Sequence, residues 1–276
     1  MTEHLFDKAL ALQHSDRRAG QFSGQTSPDY WNMVGPFGGT TASIVLKAVL
    51  SHPDLLGLPI ALTVNYAAAM VPGPFEVQAT AVRTNRSTQH WSVLISQASD
   101  GGEQQVNTMA TVVTATRRET WGTSDIAMPE VPPPDAVKQF RIGSAGTAWM
   151  SQYELRPVSG VIPMSWDGSG SESESVVWFR DAEPRPMDFA SLASMSDMFY
   201  PRVWLRRAKH VPAGTVSITT YFHANADDVA AVGTGYLLGR AVGQQFRNGF
   251  FDQAAQLWSE TGVLLATSNQ IVYFKE

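Results

Sequence analysis

The 276-residue chain has room for two ordinary domains or one large one. Its 43% hydrophobic and 16% charged residues exclude a disordered chain. A net charge of -5, with no Lys/Arg run beyond pairs such as Arg206-Arg207, excludes nucleic acid as a partner, and zero cysteines exclude disulfides, thiolate nucleophiles and Cys-based zinc sites. The absence of cysteine fits a cytoplasmic protein.

In chain order, residues 1–8 mix charges where an export signal has a basic stub and an apolar run. Tyr30-Trp-Asn-Met-Val-Gly-Pro-Phe-Gly-Gly39 is a turn-rich lead-in to a buried helix over 40–51, where Ala42, Val45, Leu46, Val49 and Leu50 recur at helical spacing. Alternating apolar patterns then predict strands over 60–70, 75–84, 91–98 and 104–116. Turns at Pro72-Gly-Pro74 and Asp100-Gly-Gly102 separate them. The uncharged stretch 55–75 is broken by Pro59, Asn65 and Pro72, and so falls short of the ~20 continuous apolar residues a membrane-spanning helix needs.

Pro129, Pro132, Pro133 and Pro134 then interrupt the chain, giving an N-terminal domain over 1–118, a Pro-rich linker over 119–147 and a C-terminal domain over 148–276. The second half predicts strands over 149–156 and 176–180, a helix over 188–199 starting at Asp188, and strands over 215–223, 232–242, 249–259 and 263–274. The order of elements repeats that of the first half, which points to an internal duplication. Placing Tyr66 opposite Tyr221 brings the endings into register around Gly102 and Gly262, with Gln270 opposite Ala110. A helix followed by a long antiparallel meander is an α+β pattern.

Several chemistries are absent from the sequence. No Gly-x-Ser-x-Gly nucleophile elbow and no phosphate-binding loop occurs. The run Gly233-Thr-Gly235-Tyr-Leu-Leu-Gly239 is one residue too long for a dinucleotide fingerprint and lies in strand patterning. His223 belongs to no metal-binding His spacing, so neither a metal nor a cofactor is expected.

Gly35-Pro-Phe-Gly-Gly39, Ala193-Ser-Met-Ser-Asp-Met-Phe199, Gly214-Thr-Val-Ser-Ile-Thr-Thr-Tyr-Phe-His223 and Gly262-Val-Leu-Leu-Ala-Thr-Ser-Asn-Gln270 stand in an order that resembles the bacterial acyl-CoA thioesterase II family. The resemblance covers the chain from about Tyr30 onward. It implies a double hotdog, in which two antiparallel sheets each wrap a long central helix, and hydrolysis of fatty acyl-CoA to free fatty acid and CoA. It also implies the site residues. An Asp on the second helix, a Thr at the start of the next strand and a Gln on the last strand hold one water against the thioester; these correspond to Asp197, Thr215 and Gln270. Such a set requires neither metal nor cysteine.

Each assignment has a plainer reading. From the residues alone Asp197, among Leu192, Met195 and Phe199, reads as a surface carboxylate, Thr215 as an ordinary strand residue, and Gln270 as facing either way. Gly38 and Gly39 either form a tight start to the helix or let backbone N–H groups face the thioester oxyanion, and Ala190 and Ser191 offer the same at the second helix. Trp31, Trp91, Trp149 and Trp178 either line an acyl tunnel or fill the core. The alternatives in function are a hotdog acyl-thioester hydratase using His223 and a non-catalytic acyl-CoA-binding protein. Exposed sheet edges further suggest a homodimer or higher homo-oligomer.

Overall fold

The computed structural model describes residues 3–15, 18–99, 101–141 and 147–276. Asp100 of the first expected hairpin turn and residues 142–146 of the expected linker lie outside the described residues.

The chain packs as two compact units. The first comprises Met1–Glu119, Ser144–Gln152 and Asp188–Met195; the second comprises Thr120–Gly143, Tyr153–Met187 and Ser196–Glu276.

In the first unit, helix α1 (Leu5–Ala9) and strands β1 (Gln13–His14) and β2 (Gln21–Gln25) precede helix α2 (Gly38–Leu50). Strands β3 (Leu58–Tyr66), β4 (Pro74–Thr84), β5 (Thr88–Ala98) and β6 (Gln104–Ala115) follow, and the antiparallel order within this unit is β1-β2-β4-β5-β6-β3. Phe75, Val77, Ala79, Val93, Ile95 and Val112 alternate into the core beneath the apolar residues of α2, as a half-buried sheet requires.

The second expected helix differs from its prediction in two ways. Helix α3 runs only over Phe189–Met195, and Asp197 sits in the turn that follows. Asp188 starts it as expected, accepting a hydrogen bond from the Ser191 N–H at 2.7 Å. Its early end has a local cause: Ser196 and Asp197 are poor helix formers. In addition, α3 packs with α2 in the first unit. Small residues allow that close approach. Ser43 Oγ donates to the Ala190 carbonyl at 2.7 Å, and a Cβ on Gly39 would lie 2.4 Å from the Ser194 carbonyl oxygen.

The second unit holds strands β7 (Tyr153–Ser159), β8 (Ser175–Asp181), β9 (Ala213–Phe222), β10 (Leu237–Val242), β11 (Phe246–Arg247), β12 (Phe250–Ser259) and β13 (Leu264–Phe274). Their antiparallel order is β9-β13-β12-β10-β8-β7, with β11 on β12. The sequence expectation began two of these strands too early. Ala148–Gln152 is a 3-10 turn, and helix α5 (Ala226–Val232), with Asn225 and Asp228 forming its capping box, occupies the start of the predicted strand 232–242. Helix α4 (Arg202–Arg207) was not anticipated.

Of the expected linker, residues 120–141 belong to the second unit. Trp178 Nε1 donates to the Pro132 carbonyl at 2.9 Å, and Arg156 Nη1 donates to the carbonyls of Pro134 and Val137. Arg156 and Arg180 also flank Glu154. Burial alone would raise the Glu154 pKa, but hydrogen bonds with Tyr236, Arg180 and Arg156 outweigh it and hold the carboxyl below its usual range.

The repeat is visible in the ladders, with one correction. The turns Ser99–Glu103 and Ser259–Val263 close with the same two bonds, Gly102 and Gly262 donating to the serine carbonyls and both glycines at positive φ. This matches Gly102 with Gly262 and Ala110 with Gln270. On the neighbouring strands, Val64 pairs with Ala110 and Ile218 with Gln270, and all four residues are buried. Val64 therefore corresponds to Ile218, and Tyr66 to Thr220, one residue from the expected match with Tyr221. That slip reverses the face: Tyr66 OH donates inward to the Gly38 carbonyl, whereas Tyr221 is 47% exposed.

Candidate active site

Gln270 lies on the buried face of β13, flanked at two-residue spacing by Ser268 and Val272. It is only 7% exposed, so its amide needs partners within the protein. Its Oε1 accepts from Thr215 Oγ1 at 3.1 Å, and its Nε2 donates to Asp197 Oδ1 at 2.8 Å. The three expected residues thus form one directed chain in the second unit, from hydroxyl through amide to carboxylate. Asp197 and Thr215 are half-buried.

A bulge places Thr215 in this chain. Opposite β13, the β9 register runs Ile218 to Gln270 and Ser217 to Ile271, then jumps to Thr215 opposite Val272. Val216 is the extra residue. In an unbroken ladder Val216 would share the Gln270 face and Thr215 would point away. The bulge reverses this and leaves Val216 37% exposed.

The turn bearing Asp197 is fixed at both ends. Ser268 Oγ donates to the Ser196 carbonyl at 3.1 Å, so adjacent inward positions of β13 hold adjacent residues of the turn. At the far end, Arg202 Nε donates to the Tyr200 carbonyl at 2.8 Å, and its Nη1 donates to Ser173 O and Ser175 Oγ. Arg202 is fully buried, and that burial pushes its pKa down to about 9.

The corresponding positions in the first unit carry no such chemistry. Ala110 stands for Gln270, and Leu62, which pairs with Val112, stands for Thr215; both are buried and apolar. Gly38 and Gly39 open α2 in the first unit, where the Gly38 carbonyl accepts from Tyr66 OH and Gly39 packs against Ser194. The Ser191 N–H is occupied by the Asp188 carboxylate.

His223 is exposed, and its Nε2 lies 3.0 Å from Thr267 Oγ1, a residue on the opposite face of β13 from Gln270. Trp91, Trp149 and Trp178 are buried core residues: Trp91 Nε1 donates to Thr114 Oγ1, and Trp149 stacks on Phe37 with centroids 4.0 Å apart. Trp31 is half-buried, its carbonyl accepting from the Trp149 N–H.

A hollow of about 530 Å³ in the second unit is lined by Arg206, Arg207, Gly243, Gln244, Gln245 and Phe246, and does not include the Asp197 cluster. Phe246 packs against the buried apolar group of Val203, Phe251 and Val272. Arg207 is ion-paired with Glu276, and Arg206 is exposed. Among the described residues no His/Asp/Glu group is placed to hold a metal ion, and no helix is long and apolar enough to cross a membrane.

Comparison with known proteins covers both halves of the chain. Residues 126–274 match the profile of the acyl-CoA thioesterase C-terminal domain, and residues 27–117 match that of the N-terminal domain. The chain is 45% identical to a protein of unknown function with a hot dog fold from Alicyclobacillus acidocaldarius, over 100% of this chain and 99% of that one, with a TM-score of 0.91. It also shares its fold with the acyl-CoA thioesterase II TesB2 of Mycobacterium marinum, at 19% identity, 98% coverage of both chains and a TM-score of 0.77. The tesB protein of Mycobacterium avium subs paratuberculosis is similar in fold, at 17% identity, 98% coverage of both chains and a TM-score of 0.76. No curated protein matches.

Proposed function

Because the chain belongs to the acyl-CoA thioesterase family and has a hotdog fold, we propose that it hydrolyses fatty acyl-CoA to free fatty acid and CoA with a water held by Asp197, Thr215 and Gln270. The observation that carries this reading is the Thr215–Gln270–Asp197 hydrogen-bond chain. Thr215 fixes the Gln270 amide, Gln270 holds the carboxylate, and the carboxylate is the group basic enough to take a water proton. The water oxygen attacks the thioester carbon as its proton passes to Asp197. Collapse of the tetrahedral intermediate then breaks the C–S bond, and the thiolate takes the proton.

The duplication supports one site per chain, since Leu62 and Ala110 replace the Thr and Gln in the first half. On this reading the halves over 1–118 and 148–276 are two hotdog copies joined by 119–147, and Gly38 or Gly39 supplies an oxyanion N–H. The exposed Arg206 guanidinium of the hollow suits a phosphate of CoA. A cytoplasmic, homo-oligomeric enzyme remains part of the proposal.

Incubating the purified protein with acyl-CoA of graded chain length, while following free thiol and enoyl absorbance, tests the reading. Thiol release supports a thioesterase. Enoyl turnover without thiol release would point to a hydratase, for which His223 is poorly placed, and binding without turnover would leave an acyl-CoA carrier.

A further inference from the structure

Gln253 on β12 stands directly opposite Gln270 on β13. Directly opposed residues project from the same face with Cβ atoms roughly 5 Å apart. Gln253 is only 3% exposed, and its Nε2 has no hydrogen-bond partner among the described residues. A buried donor left unmet costs about 1–3 kcal/mol, so its placement calls for an acceptor that arrives with a ligand or a water. Other unpartnered atoms on this strand, Gln256 Oε1 and Trp258 Nε1, lie toward its far end, opposite Thr267 and Leu264. Gln253 alone among them adjoins the Asp197 cluster.

Resting on the thioesterase reading above, we propose that Gln253 is a further catalytic residue, whose Nε2–H donates to the thioester carbonyl oxygen as it becomes an oxyanion. The attacking water gives a proton to Asp197 and must aim one lone pair at the carbonyl carbon, which leaves one lone pair for a donor. The second N–H of Gln270 Nε2 already serves it, since the Thr215 proton is given to Gln270 Oε1. The carbonyl oxygen is the remaining acceptor, and it is where charge develops: as the O–C bond forms, the carbonyl π pair moves onto that oxygen, and it returns when the C–S bond breaks. An amide held in a water-poor site stabilises this charge without reorganising.

The test compares wild type with Gln253→Met, which keeps the length and removes the donor, and with Gln253→Glu. Thiol release from acyl-CoA gives kcat and KM, and thermal unfolding is measured on the same samples. Gln253→Met is expected to lose about 100-fold in kcat, with KM held within about threefold. Its Tm should be equal or higher, because an unmet buried donor has been removed. At neutral pH Gln253→Glu should lose at least as much, since a carboxylate faces the developing oxyanion; it also serves as the second probe if Gln253→Met does not fold. Wild-type kcat in Gln253→Met overturns the assignment, as does a lowered Tm with kcat and KM worsening together, the mark of packing alone. Turnover by wild type with an indifferent Gln253 removes this proposal only, whereas a wild type that releases no thiol removes the thioesterase reading with it.

Discussion

Gln270 reaches back across 73 residues of sequence to place its amide 2.8 Å from Asp197, and the opposite end of the same amide accepts from Thr215. A glutamine used this way has no freedom to flip, because its acceptor end faces a donor and its donor end faces a carboxylate. The last strand thus helps to set the orientation of the carboxylate.

Gln270→Ala should fold, since the change is from a buried polar group to a small apolar one, and should lower kcat by about 10- to 100-fold in thiol release. Thr215→Val, which removes the hydroxyl and preserves shape, should cost less than Gln270→Ala. The two together should cost far less than the product of the single losses, because both act through one amide.

Installing the missing groups in the first half should not create a second site. Leu62→Thr with Ala110→Gln, made in an Asp197→Asn background, is expected to release thiol no faster than Asp197→Asn alone, because α2 carries no Asp or Glu. Each new polar group is buried without a designed partner, so denaturant unfolding should show a loss of about 1–3 kcal/mol per substitution.

Glu154 gives a pH signature. Its carboxyl is held below its ordinary value of 4.5 in the folded chain, so its contribution is present above the unfolded value and is lost as pH falls through the lower folded value. Glu154→Gln should cost about 1–3 kcal/mol near neutral pH. In a urea series, the gap to wild type should narrow below pH 4.5.

Arg206→Glu tests the hollow. At low salt the substitution should raise KM for acyl-CoA severalfold and leave acyl-pantetheine, which lacks the nucleotide, unaffected; the difference should shrink at high ionic strength. Equal KM shifts for both substrates would separate the hollow from CoA binding.

Much of the fold was legible because the strands alternate cleanly and the hairpin turn at Glu260-Thr-Gly262 carries its own backbone chemistry. The short helices were not. Arg202–Arg207 and Ala226–Val232 are too brief for periodicity, although Asn225 and Asp228 spelled a capping signal for the second. The Tyr66–Tyr221 match failed for a physical reason: identity of residue type says nothing of face, and a one-residue slip inverts the face. Asp197, Thr215 and Gln270 were reachable only through resemblance. Nothing in the local sequence announces that Val216 bulges to turn Thr215 inward, or that Gln253 falls opposite Gln270, since both depend on register between distant strands.

The central claim is that the Asp197 carboxylate takes the proton of the attacking water. Asp197→Asn keeps the size of the side chain and one oxygen acceptor while removing the proton acceptor, so the measurement is the rate of CoA release by a folded Asp197→Asn protein under saturating acyl-CoA. We predict a loss of about 100- to 10,000-fold in kcat with substrate binding retained. CoA release at the wild-type rate by the folded variant would contradict the mechanism.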